Sequence, residues 1–374
     1  MPGHKDLLDA ATAQTGLDDF GADSFREGLE ILARSLRDEA RLNAAGEAFL
    51  YPRIVGHLAQ RLQVEDWYRR HPEIGDVPIV APLIGLSLPR TNSTVLSFLL
   101  SKDPGVRYLH QWEAIWPCPP PSTVEGPDPR IPQAGGKKAG ARSPVPTGAD
   151  GPGECQDLMS LDFKTHIYQA FAQVPSYSAW LLDTDLTSTY RYERRVLKLL
   201  QWGEPQRPWW LKSPTHLIFL EYLDRAFPDA RFVMTHRDPI DVMVSVAGVY
   251  ADTAGVFTDH LDRRYLGQLN VEHWSVGMNR ALKFRDGGAG HRFWDIDFGA
   301  MQVDPIGEVR RLYAWLGEPV TEEFESAMRR WLAENEENRE PRTHQDPAAF
   351  GLDLGQVRPL FAEYATRSKE WATR

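Results

Sequence analysis

Apolar residues recur every three or four positions between residues 22 and 70, at Phe25, Leu29, Leu32 and Leu36 and again at Ile54, Leu58 and Leu62, among Glu and Arg. That period predicts two or three amphipathic helices with a buried stripe. The pattern then changes. Leu83-Ile84-Gly85-Leu86-Ser87-Leu88 is a short apolar run suited to a buried strand, and Val95 to Leu100 fits a helix. Helical spacing resumes from Cys155 to Ala172 and from Thr189 to Gln201. Pro208 to Lys212 predicts another strand. Ser213-Pro214 then gives a cap residue and a first-turn proline to a helix with Leu217, Leu220, Leu223 and Phe227 on one face. Arg231 to Thr235 predicts the next strand, with Asp238-Pro239 as a second helix start, and Phe293 to Phe298 followed by Asp304-Pro305 repeats the unit. Alternating strands and helices predict an α/β fold with a parallel sheet and right-handed crossovers.

Between Pro117 and Gly153 the pattern lapses: 10 of the 28 prolines and 7 of the 29 glycines fall there, which predicts a loop rather than a domain. A length of 374 residues gives a prior of about two domains. The periodicity favours one elaborated α/β domain over residues 76–374, with a helical extension over 1–75 packed on it and an insertion at about 117–153. With 42 Lys+Arg against 52 Asp+Glu the net charge is −10, which argues against a nucleic-acid partner. Cys118 and Cys155 are too few for a disulfide framework and lack histidines at metal-ligand spacing, so no metal and a reducing, cytoplasmic setting are expected. The first ten residues reach charge too early for a signal peptide, and no apolar run approaches a membrane span.

Three polar segments, beginning at Pro89, Lys212 and His236, lie where a strand hands over to a helix. In a parallel sheet such points share the carboxyl edge, where helix N-termini favour anions. Arg90, Lys212 and Arg237 therefore converge on one place suited to a ligand with more than one phosphate-like group. Pro89-Arg90-Thr91-Asn92-Ser93-Thr94 has the logic of a phosphate loop but lacks the Gly-Lys of the nucleotide triphosphatase signature. A hydroxyl-rich helix start is also an ordinary cap, and an Arg beside Asp-Pro also fits a pair with Asp238 or Asp241.

With Gly85 to Thr94, Trp112-Glu113-Ala114-Ile115-Trp116-Pro117, Leu211-Lys212-Ser213-Pro214-Thr215-His216 and His236-Arg237-Asp238-Pro239 plus Ser245, the chain resembles bacterial sulfotransferases that use 3′-phosphoadenosine 5′-phosphosulfate. The resemblance implies a three-layer α/β/α fold like that of P-loop nucleotide triphosphatases. It implies that Arg90, Thr91, Asn92, Ser93 and Thr94 hold the 5′ end of the donor, and Arg237 and Ser245 its 3′-phosphate. It puts the base at Glu113, where Trp112 and Trp116 would desolvate a carboxylate. Lys212 and Arg90 would steady charge on the transferring group and departing phosphate. Asn92 and Ser93 stand where the family usually has Gly and commonly Thr. Asn is the non-glycine residue best suited to left-handed backbone, so the turn is expected to persist.

The implied activity is in-line transfer of a sulfuryl group to a hydroxyl or amine of a small-molecule or carbohydrate acceptor. The alternatives are a nucleotide-dependent kinase, for which a loop lysine and magnesium-binding acids are not found, and a noncatalytic binding protein of the same fold. His216 and His110 rank behind Glu113 as base, and His236 reads as structural. Arg342 and His344 lie in a polar tail segment that reads as solvated loop. Trp112, Trp116, Phe163, Tyr168, Tyr177 and Trp180 suit either an acceptor pocket or the core, and the Pro/Gly-rich loop beside them is the expected cap of the acceptor site.

Overall fold

The computed structural model describes residues 1–131, 150–335 and 345–371. A five-stranded parallel sheet of order β2-β3-β1-β4-β5 lies at its centre, formed by β1 (Leu83–Gly85), β2 (Arg107–Tyr108), β3 (Trp209–Lys212), β4 (Arg231–His236) and β5 (Phe293–Asp297). Successive side chains of a strand point to opposite faces. Trp209, Leu211, Phe232 and Met234 thus enter the larger apolar core, while Trp210 and Val233 enter a second core with Leu96, Leu99, Ile306, Val309 and Phe324. Helices cover both faces, giving three layers.

The N-terminal helices share the larger core. Leu7 of the helix His4–Thr15, Leu29 of Arg26–Asp38 and Leu58 of Ala44–Arg70 lie in one apolar cluster with Ile84 and Leu211. Arg61, fully buried on the long helix, ties them further. Its guanidinium donates to the carbonyls of Phe20, Ala22 and Leu161 at 2.8, 2.8 and 3.0 Å, and lies 3.4 Å from Asp162. Phe25 and Tyr192 stack on it. A buried guanidinium is tolerable because all this hydrogen bonding replaces water.

Several elements differ from their expected form. The run 83–88 is strand only to Gly85; from Leu86 the chain turns away to build the phosphate-loop segment. The helix expected over 155–172 is broken into Cys155–Met159, a 3-10 turn Ser160–Asp162 and Tyr168–Phe171. Phe163 there adopts a left-handed φ of 54°. The buried hydroxyl of Tyr177 holds this bend, accepting from Thr165 N–H at 3.1 Å and donating to the Phe163 carbonyl at 2.9 Å. After Ser213-Pro214 a 3-10 turn, Pro214–Leu217, precedes the helix Leu220–Ala226. The expected start at Asp238-Pro239 is present: the Asp238 carboxylate accepts from Ile240 N–H at 2.8 Å and the helix runs Pro239–Ala254. Of the Pro/Gly-rich insertion, residues 132–149 lie outside the described residues.

Candidate active site

Strands β3, β1 and β4 are adjacent, so the segments that follow them meet at the carboxyl edge. After β1 the chain loops through Leu86 to Asn92 into the helix Ser93–Leu100. Arg90 and Asn92 both have left-handed backbone, with φ of 64° and 74°. These flank Thr91, which is fully buried. Its hydroxyl donates to the Leu88 carbonyl at 2.8 Å and lies 2.6 Å from the Thr235 hydroxyl, while Ser87 Oγ accepts from Thr235 N–H at 2.8 Å. These inward bonds clamp the loop to β4. The Thr91 side chain therefore shapes the loop instead of presenting its hydroxyl outward. Asn92 occupies the cap position of the helix in the conformation that glycine adopts most easily. Ser93 and Thr94, both half-buried, begin its first turn.

Arg90, Arg237 and Ser245 are brought together. Arg237 follows β4 and donates to the Arg90 carbonyl at 3.0 Å, and Arg90 Nε donates to Ser245 Oγ at 3.3 Å. Arg237 also stacks on Phe298 and lies 3.6 Å from Asp241, so the helix-start pair weighed from sequence is present beside the convergence. Behind Arg237 sits a buried network. His236 Nε2 is 2.7 Å from Asp295, whose two oxygens accept from Arg285 at 2.7 Å each; His236 Nδ1 faces the Tyr364 hydroxyl and Trp371 stacks on Arg285. Burial acts to raise the Asp295 carboxyl, but the hydrogen bonds from Arg285 and His236 and their charge outweigh it and hold its pKa below the ordinary value. His236 is itself buried within this network.

Lys212 ends β3 directly opposite Gly85 of β1. A Cβ on Gly85 would stand 2.7 Å from the Trp210 ring and 3.1 Å from Lys212 Cγ, so glycine leaves the room in which the lysine stem lies. The ammonium of Lys212 pairs with Glu154, which sequence reasoning did not single out. Glu154 in turn accepts from Gln156 Nε2 at 2.7 Å. Its nearest signal in the sequence is only that it follows the Pro/Gly-rich stretch. The segment that carries it is held on the chain after β2 by Gly153 N–H to the Leu109 carbonyl at 2.7 Å and Gln111 N–H to the Gly151 carbonyl at 2.8 Å.

Glu113, expected as the base, is buried in an ion pair. It is 1% exposed, and its carboxylate takes both terminal nitrogens of Arg107, one of them at 3.0 Å, together with the His110 N–H at 3.0 Å. Arg107 stacks on Trp209. The position thus reads as a buried ion pair that caps a short helix, Gln111–Ile115. His110 lies 2.7 Å from Asp150, and His216 is fully buried with Nδ1 3.1 Å from the Tyr190 hydroxyl. Phe163, Tyr168 and Tyr177 are core residues, while Trp116 and Trp180 remain partly exposed. Arg342 and His344 lie outside the described residues.

A parallel α/β sheet with a hydroxyl-rich loop after its central strand and cationic side chains at neighbouring strand ends makes an edge suited to binding an anion. The model of the sulfotransferase family matches residues 82–322, and the chain belongs to that family. Sulfotransferase STF9 from Mycobacterium avium is 32% identical over 98% of this chain and 97% of its own, with a TM-score of 0.90. Sulfotransferase STF1 from Mycobacterium tuberculosis H37Rv is 29% identical over 96% and 98%, with a TM-score of 0.83. No curated protein matches the sequence. The chain is a transferase with the P-loop-like sulfotransferase fold, and among its described residues no helix is long and apolar enough to cross a membrane.

Proposed function

We propose that the enzyme moves a sulfuryl group from 3′-phosphoadenosine 5′-phosphosulfate to a hydroxyl or amine of a small-molecule or carbohydrate acceptor. The observation that carries this reading is the convergence of two separate motifs on Arg90, which lies within hydrogen-bond distance of both Ser245 and Arg237. The shape of the loop supports it. Two left-handed residues and the Thr91 clamp fix a turn ahead of a helix start, the arrangement in which backbone N–H groups hold an anion. When bound, the donor supplies the activated sulfuryl group. Arg90, Ser93, Thr94 and the backbone of Thr91 and Asn92 bind its 5′ end, and Arg237 and Ser245 its 3′-phosphate. Lys212, once its ammonium turns from Glu154 to the donor, offsets negative charge developing on the departing phosphate and so lowers the barrier.

For the base, the geometry favours Glu154 over Glu113. The Glu113 carboxylate is sealed and bound by Arg107, whereas the Glu154 side chain is 25% exposed and sits on the lysine of the site. Once Lys212 turns its charge to the donor, Glu154 is positioned to take the acceptor proton. Incubation with labelled donor and a panel of phenols, alcohols, sugars and amines tests the function. Transfer to one class is expected. No transfer together with no calorimetric binding of 3′-phosphoadenosine 5′-phosphate at millimolar concentration would overturn it.

A further inference from the structure

Directly behind the Lys212–Glu154 pair lie three metal-ligating side chains from three elements. Cys155 opens the short helix after Glu154, Glu193 projects from the helix Thr187–Gln201, and His216 lies in the turn after Lys212. Their Sγ, carboxylate and imidazole atoms all lie within 4.8 Å of one another, and all three residues are fully buried. Among the described residues, Nε2 of His216 has no hydrogen-bond partner, and the neighbour of the Glu193 carboxylate is the Cys155 thiol. A buried nitrogen without a partner costs about 1–3 kcal/mol, which a bound ligand would offset.

We infer that Cys155, Glu193 and His216 bind a divalent transition metal ion, best fitted by zinc, as a structural site that fixes the floor of the active site. A thiolate, an imidazole and a carboxylate are the three zinc ligand types, and around a tetrahedral zinc they stand roughly 3.5 Å apart, so from separations within 4.8 Å the cluster closes on the ion by no more than about 1.3 Å. The fourth position falls to a water. His216 is already oriented as such a ligand: its Nδ1 is 3.1 Å from the Tyr190 hydroxyl, which leaves Nε2 to face the cluster. Charge also balances. Binding replaces the thiol and carboxyl protons by one ion of charge 2+, so thiolate, carboxylate, neutral imidazole and metal sum to zero. The ligands are 38 and 23 residues apart along the chain, which is why no local spacing announces them.

The consequence for catalysis rests on the proposed roles of Lys212 and Glu154; the binding does not. The ion would pin the segment carrying Glu154 to the turn that follows Lys212. The test uses the full chain, stripped with chelator, reloaded with zinc or cobalt(II) and freed of excess. One zinc per chain, a higher melting temperature with zinc, and a thiolate-to-cobalt charge-transfer band are expected. Cys155→Ala and Glu193→Gln should lose the band, and Cys118→Ser should keep it. A wild-type chain that retains no zinc and shows no change in melting temperature overturns the proposal, as does a cobalt band that survives Cys155→Ala. Metal content is read independently of sulfuryl transfer, so its failure and that of the proposed activity are distinguishable.

Discussion

Arg237 donates a hydrogen bond to the backbone carbonyl of Arg90 at 3.0 Å, so the residue expected to bind one end of the donor also braces the loop that binds the other. Replacing Arg237 by Ala should therefore do more than remove one phosphate contact. A charge-assisted hydrogen bond is worth about 1.5–3 kcal/mol, or roughly 10- to 150-fold in affinity. Calorimetry with 3′-phosphoadenosine 5′-phosphate should show at least that loss; affinity within about twofold of wild type would remove Arg237 from the 3′-phosphate role.

The two glutamates separate by their variants. Glu154→Gln should lower kcat by about 10²- to 10⁴-fold, the usual worth of a general base, while nucleotide affinity stays near wild type. Glu113→Gln should instead act on stability, because it leaves the Arg107 guanidinium without its charge partner in a buried setting, a loss of about 3–5 kcal/mol. A folded Glu113→Gln enzyme without turnover, beside an active Glu154→Gln, would reverse the assignment.

How much of this was readable in the sequence follows from the range of the forces involved. Arg90, Lys212 and Arg237 sit at strand-to-helix transitions that hydrophobic period and Asp-Pro or Ser-Pro starts mark locally, so their place along one sheet edge was legible in the sequence. Glu113 was legible as a carboxylate between two tryptophans, but its partner Arg107 lies on a two-residue edge strand with no period of its own. The Lys212–Glu154 pair spans 58 residues, and the break at Phe163 depends on a tyrosine hydroxyl from another helix. Such contacts carry no local pattern.

Asn92 gives a direct test of backbone conformation. Its φ of 74° costs an ordinary L-residue about 1–2 kcal/mol, a cost that Asn reduces and Gly avoids. Asn92→Ala should lower stability by about 1 kcal/mol. Asn92→Gly should be nearly neutral, since the relief of strain is offset by greater freedom of the unfolded chain. Thermal unfolding of the three proteins decides it, and an alanine variant as stable as the glycine one would show that the loop relaxes out of the left-handed region.

Acid should weaken the network behind Arg237. Because Asp295 has its folded-state pKa depressed, it contributes stability that is full above the ordinary aspartate value near 3.9 and is lost as pH falls through the lower folded value. The melting-temperature gap between wild type and Asp295→Asn should accordingly be widest near neutrality and narrow below about pH 4. A gap that is constant from pH 7 to 3 would mean that the carboxylate charge contributes nothing there.

Arg61 sets a limit on how this protein can be dissected. Its guanidinium draws on carbonyls from both sides of the chain, Phe20 and Ala22 on one and Leu161 on the other, and it stands beside Asp162, which also accepts from Ser24, Ser188 and Thr189. Removing the first 75 residues would take away the cation and one hydroxyl while leaving the aspartate in the interior. The helices before the sheet are thus not an ornament that can be cut off to obtain a smaller enzyme; a minimal version of this fold would have to be re-engineered at Asp162 first.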